Sequence, residues 1–148
     1  MINYYHYSSN KIQQLHNNYT QRLKWKPTGF WLSKNNEWYD WCINNGCSTF
    51  NTNNYFKHKI KFKDDIRLYI CDSLDSFYSL VKNYNNDWID LSEEYDGIVF
   101  DNYNEIKKKL ILNPECPFIW FFGIDVNCCV VWNTNKIYIT YIKHFIKY

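Results

Sequence analysis

Few side chains in this sequence stand where they could do chemistry. His6 sits inside an aromatic run, Tyr4-Tyr5-His6-Tyr7, with Ser8 just beyond it. Glu93, Glu94, Asp96 and Asp101 surround the apolar stretch Gly97–Phe100, and Asp125 stands between Ile124 and Val126. A carboxylate among such neighbours must be hydrogen-bonded, paired or functionally perturbed. Asp125 reads either as a turn residue satisfying local backbone donors or as a functional acid. Glu94 reads either as a solvated helix end or as a catalytic carboxylate. His6 reads either as a satisfied core histidine or as a ligand-orienting ring.

Other chemistries lack their residues. The four histidines, His6, His16, His58 and His144, have no helical metal-site spacing, and no C-x-x-C occurs among the six cysteines. A structural zinc site needs four ligands in recognisable pairs, so no metal is expected. The four glycines are isolated, which excludes a glycine-rich phosphate cradle. A net charge of +2 is nearly balanced, unlike that of a domain built mainly to hold nucleic acid. The lysines of Lys57–Lys63 either meet phosphates or blunt an exposed sheet face against aggregation; the scarcity of arginine favours the second reading.

The N-terminal residues carry no leader-like apolar segment and no stretch is long enough to cross a bilayer, so reduced thiols and a cytoplasmic, non-membrane protein are expected. Aromatic residues make up 21% of the 148, enough to build a large core without staples. Heavy use of Asn, Lys, Tyr and Ile, with no Ala, points to an AT-rich genome.

The elements that must position these residues follow from periodicity. Strands are expected at Ile2–Tyr7, Gly29–Ser33, Tyr55–Lys63, Ile66–Cys71, Tyr95–Asp101 and Lys136–Lys147, with Pro117–Ile124 and Cys128–Trp132 forming a hairpin. Helices are expected from Asn35 or Asn36 to Asn45, stopped by Gly46, from a cap at Asp72 or Ser73 through Tyr84, from near Asp87 through Leu91, and over Glu105–Leu112. Lys11–Asn18 reads as a helical turn or two. With no repeat or linker, residues 1–148 read as a single α+β domain. Its sheet is mostly antiparallel with about six to eight strands, accompanied by three or four short helices.

Three segments in order resemble the ADP-ribosyltransferase superfamily: Tyr4-Tyr5-His6-Tyr7-Ser8, then Gly29-Phe30-Trp31-Leu32-Ser33 followed by Trp38, then Glu94-Tyr95-Asp96-Gly97-Ile98-Val99. The resemblance implies NAD as the bound cofactor. His6 would hold its ribose and count among the catalytic residues, Tyr7 would be a further cofactor-binding residue, Trp31 and Ser33 would line the nicotinamide pocket, and Trp38 would stack on the ring. Glu94, or else Asp96 or Asp125, would stabilise the cation-like ribose. The third motif departs from the family by placing Glu94 at a helix end. Lys26–Ser33, Trp38–Cys42, Tyr95–Ile98 and Trp120–Trp132 are also similar to small uncharacterised proteins of phages and large DNA viruses, for which no activity is implied. The alternative expectation is a non-enzymatic viral accessory domain that binds a host protein or nucleic acid through exposed aromatics and lysines.

Overall fold

A computed structural model describes residues 1–15, 18–22, 25–47, 54–85, 87–113 and 119–146. Among these residues seven strands form one sheet: β1 (Tyr4–Ser8), β2 (Phe30–Lys34), β3 (Asn54–Phe62), β4 (Leu68–Cys71), β5 (Gly97–Phe100), β6 (Cys128–Val131) and β7 (Ile137–Ile146). Their order is β4-β5-β6-β2-β1-β3-β7. Only the β4–β5 pair is parallel; the other five are antiparallel. The helices are α1 (Glu37–Asn44), α2 (Leu74–Tyr84), α3 (Trp88–Glu94), α4 (Tyr103–Ile111) and the single turn α5 (Ile119–Phe122). This is an α+β architecture of mostly antiparallel pairing, as periodicity indicates, and no described helix is long and apolar enough to cross a membrane.

Local chemistry explains most boundaries. Ser73 caps α2 by accepting from the Ser76 backbone N–H at 3.2 Å, while the Ser76 hydroxyl accepts from the Ser73 N–H at 3.0 Å. Asp87 caps α3 through the N–H groups of Ile89 and Asp90. Gly46, at φ +66°, follows the end of α1 in the left-handed conformation that a side chain would resist.

Two expectations fail for physical reasons. Residues 119–122 form a helical turn, not a strand of a hairpin, while Pro117 and Phe118 lie outside the described residues. Trp120 and Phe121 are both buried in one core with Phe77, Trp88 and Phe100; adjacent residues of a strand would face opposite sides. Likewise 11–15 make no helical turn, while 16 and 17 fall outside the described set. The Ile12 N–H instead donates to His58 Nε2 at 2.9 Å, and Ile12 and Leu15 pack on the sheet.

The sheet separates two cores. One face carries Ile98, Phe100, Cys128 and Val130 against α2–α5, a cluster rich in edge-to-face rings such as Trp88 on Trp120 at 5.3 Å. The other carries Phe30, Leu32, Ile60, Val99, Cys129, Val131 and Ile137, and the segment containing Ile12 and Leu15 straps over it. Gly97 permits the tight β5–β6 approach: a Cβ there would lie 2.6 Å from the Val130 carbonyl oxygen. Because that neighbour is backbone in a buried ladder, Gly97→Ala is expected to cost about 2 kcal/mol, read as a lower urea midpoint with an unchanged m-value.

His58 is fully buried in this second core, its Nδ1–H donating to the His6 carbonyl at 3.3 Å while Nε2 accepts from Ile12. Desolvation holds His58 and His6 below the ordinary histidine pKa. A depressed pKa means that the unfolded chain binds more protons than the folded one. Stability is therefore expected to fall as pH drops below about 6.5 and to be insensitive to these groups above it. Urea midpoints taken at about pH 7.5 and 5.5 check this, with His58→Gln showing the shallower decline.

Candidate functional site

The register of β1 and β2 decides which side chains meet. Tyr4 pairs with Lys34 and Tyr5 with Ser33, and continuing the pairing sets Tyr7 against Trp31. Pleat alternation therefore sends Tyr5, Tyr7, Trp31 and Ser33 to the face that carries the helices. There they floor a cleft of about 800 Å³, within the size range of small-molecule sites. Trp38 of α1, the segment Trp25–Gly29 and the loop Gly123–Val126 make its walls.

Each wall is fixed by a specific interaction. The Ser33 hydroxyl accepts from the Trp38 backbone N–H at 2.9 Å, tying the first turn of α1 to β2. Trp38 is held by stacking on Trp41, centroids 5.1 Å apart and planes 9° off parallel. Lys26 donates through Nζ to the Gly123 carbonyl and so joins the two loops. Gln21 grips the far end of the wall, accepting from the Thr28 N–H at 2.9 Å. Tyr7 donates its hydroxyl to Asn36 Oδ1 at 3.2 Å.

Asp125 occupies the tip of the second loop. Its φ of +72°, with the Val126 N–H donating to the Ile124 carbonyl at 3.0 Å, makes a three-residue γ-turn. Such a backbone is costly for a residue with a side chain, and strain of this kind concentrates where function fixes geometry. Asn127, two residues on, anchors the turn: both Glu37 carboxylate oxygens accept from it, each at 3.1 Å. Its own Oδ1 accepts from the Tyr103 N–H at 2.8 Å. Asp125 is the one carboxylate among the described lining residues, and it makes no side-chain hydrogen bond to any of the described residues. The turn is closed by backbone alone, so the side chain does not satisfy local donors as the turn reading has it, and the carboxylate stays uncommitted among the described residues.

Of the residues expected to hold a ligand, Tyr7, Trp31, Ser33 and Trp38 line the cleft together with Asp125. Ser33 does so with its hydroxyl committed to α1. His6 borders the cleft, but pleat alternation and packing turn its ring to the other face: it stacks on Phe30 at 4.1 Å, and Nδ1–H donates to the Trp31 carbonyl at 2.9 Å. His6 is thereby a positioning residue for β2, fixing the carbonyl beside which Trp31 departs.

Glu94 and Asp96 are not among the lining residues. Glu94 is exposed at the end of α3 beside the Tyr84 hydroxyl, whose pKa desolvation and that carboxylate push up to about 12. Asp96 is buried and fully employed. Its Oδ2 accepts from the Arg67 N–H at 2.9 Å, its Oδ1 from Asn133 Nδ2 at 2.8 Å, and its carbonyl takes the N–H groups of Trp132 and Asn133. Cys128 lines the cleft as a poor nucleophile, since burial holds its thiol far above the ordinary cysteine pKa. Among the described residues no cluster of three or more His, Cys, Asp or Glu could hold a metal.

Periodicity missed four contributors. Tyr5 was legible, being two residues from Tyr7 on one strand. Trp25 and Lys26 lay in a segment readable only as a basic loop, and nothing local signals that Glu37 grips a turn ninety residues away. Comparison with protein-family models, curated proteins and solved structures finds no match for this chain.

The two displaced acids should behave differently from Asp125. Asp96→Ala strands the Arg67 amide and the Asn133 side chain, and is expected to cost about 2–3 kcal/mol, measured by urea unfolding. Glu94→Ala is expected to stay within about 0.5 kcal/mol of the wild type.

Proposed function

We propose that the cleft binds NAD and supports ADP-ribosyl transfer, with Asp125 as the acidic residue. The observation that carries this reading is the convergence of Tyr7, Trp31, Ser33 and Trp38 on the same cleft as the unpaired Asp125 carboxylate. The described lining fits such a ligand: the tryptophans Trp25, Trp31 and Trp38 for planar groups, the Asp125 carboxylate for positive charge, and the Lys26 ammonium, which also donates to the Gly123 carbonyl, for phosphate. NAD would supply the ADP-ribosyl group, its nicotinamide leaving with the electron pair of the glycosidic bond.

The chain's own residues do the remainder. Trp31 and Trp38 offer the planes against which an aromatic ring is oriented. The Asp125 carboxylate, fixed by its γ-turn and the Glu37–Asn127 grip, places negative charge where positive charge develops on the ribose. Lys26 faces the same space from the opposite loop, suited to a phosphate oxygen. Neither His6 nor Glu94 takes part directly in this reading; Asp125 replaces Glu94 as the acid. The acceptor would be water or a nucleophile on another molecule, such as a host macromolecule for a viral effector.

The test is nicotinamide release from NAD, followed chromatographically, alongside quenching of tryptophan fluorescence on NAD addition. Wild type is expected to do both. Asp125→Asn should retain binding and lose about a hundredfold or more in turnover, Trp31→Ala should raise KM about tenfold, and Glu94→Ala should match wild type. Quenching without turnover would leave a binding module. Neither signal would remove NAD from the site.

A further inference from the structure

The cleft lies on the helix-bearing face over β1, β2 and the Cys128 end of β6. Beyond it the same face continues across β3 and β7, and no described residue of either strand belongs to the core that α2–α5 cover. Register lays out what that face displays. Lys57 lies opposite Tyr7 on one side and Lys143 on the other, and Lys59 lies between Tyr5 and Tyr141. Lys61 is opposite Tyr138 and Tyr55 opposite Phe145. The result is a checkerboard of ammonium groups and rings that runs into the cleft at Tyr5 and Tyr7.

Two features mark the cationic character of this face. The four adjacent strands β2, β1, β3 and β7 contain no Asp or Glu at all. Lys57 and Lys143 are direct cross-strand neighbours of like charge, an arrangement that costs stability. Several protein groups offset it: Lys57 lies 3.8 Å over the Tyr5 ring and donates to Asn36 Oδ1 at 2.5 Å, Lys143 lies 4.7 Å over Phe145, and Asp40 of α1 adds an opposing charge at Lys57. The rings are accessible, with Tyr141 59% and Tyr138 42% exposed.

We propose that this half of the sheet, formed by Lys57, Lys59, Lys61 and Lys143 with Tyr138 and Tyr141, binds single-stranded nucleic acid and leads it toward the cleft. Phosphates complement a cationic face that has no acids of its own, and unpaired bases have the free faces that tyrosine rings can stack. The cations are lysines without an arginine fork to read base edges, so binding is insensitive to sequence. This surface does not depend on what chemistry the cleft performs.

The test is fluorescence anisotropy of labelled single-stranded DNA and RNA oligomers of about twelve nucleotides, titrated at several salt concentrations without NAD. Binding is expected to weaken with salt, with a log–log slope of about −3 for four phosphate contacts. Lys59→Glu/Lys61→Glu/Lys143→Glu should lose at least tenfold in affinity and flatten that slope, with an unchanged circular dichroism spectrum. Tyr141→Ala should weaken binding about tenfold with the slope preserved. Absence of binding at low salt, indifference to the triple charge reversal, or equal competition by polyglutamate would overturn the proposal; the last would indicate an acidic polypeptide instead.

Discussion

The two-residue repeat of β1 and β2 is the constraint on which the rest of this molecule depends. In a sheet buried on both sides, a strand must divide its side chains between two environments. Here β1 gives Tyr5 and Tyr7 to one side and Tyr4 and His6 to the other, while β2 divides Trp31 and Ser33 from Phe30 and Leu32. A slip of one residue would send Trp31 into the strap-covered core and His6 into the cleft. The register is held from both sides. The Trp31 carbonyl accepts from His6, the Ser33 hydroxyl captures α1, and β2 pairs with β6 from Phe30 to Ser33.

The cleft sits where the two halves of the sheet diverge in character. Toward β4 the sheet is covered by helices and closed by stacked and edge-to-face rings. Toward β7 the same face exposes Tyr138 and Tyr141 beside the lysines, with Tyr39 of α1 packed on Tyr55, and among the described strands β7 ends the sheet. That edge carries a bulge at Thr140, which no β3 residue pairs with and whose hydroxyl donates to the Lys59 carbonyl. Bulges and lysines are devices by which open edges avoid pairing with other chains. Protection from aggregation and attraction of an anionic strand are compatible uses of the same charges.

The acids illustrate how burial separates roles that composition leaves equal. Asp96 is buried, and its carboxylate is used up by Arg67 and Asn133 in joining β4, β5 and the end of β6. Asp101 pairs with Lys34 at 2.7 Å. Glu37 spends both oxygens on Asn127. Asp125 alone among these keeps its carboxylate uncommitted, on a turn whose backbone demands a residue tolerant of positive φ. The supports lie in the surrounding shell, and the residue that lines the cleft keeps its charge without a side-chain partner among the described residues.

What the sequence determined by itself was local. Alternation in Tyr55–Lys63 marked β3, and helical spacing after Ser73 marked α2. Asp87 marked the start of α3, Gly46 the end of α1, and the mixed order of elements the α+β class; each signal arises from contacts within a few residues. It also named Tyr7, Trp31, Ser33, Trp38 and Asp125 as site candidates, through strand and turn context and family resemblance. Only tertiary structure decided which of them meet. The rotation of His6 away from the cleft depends on pairing with β2 and β3, and the capture of Asp96 depends on Arg67 and Asn133, 29 and 37 residues distant. The helix at 119–122 is set by rings from α2, α3 and β5, because a short apolar run has no period of its own until a core exists to select one face. Contacts over such separations leave no trace in local spacing, which is why periodicity found the candidates and the fold chose among them.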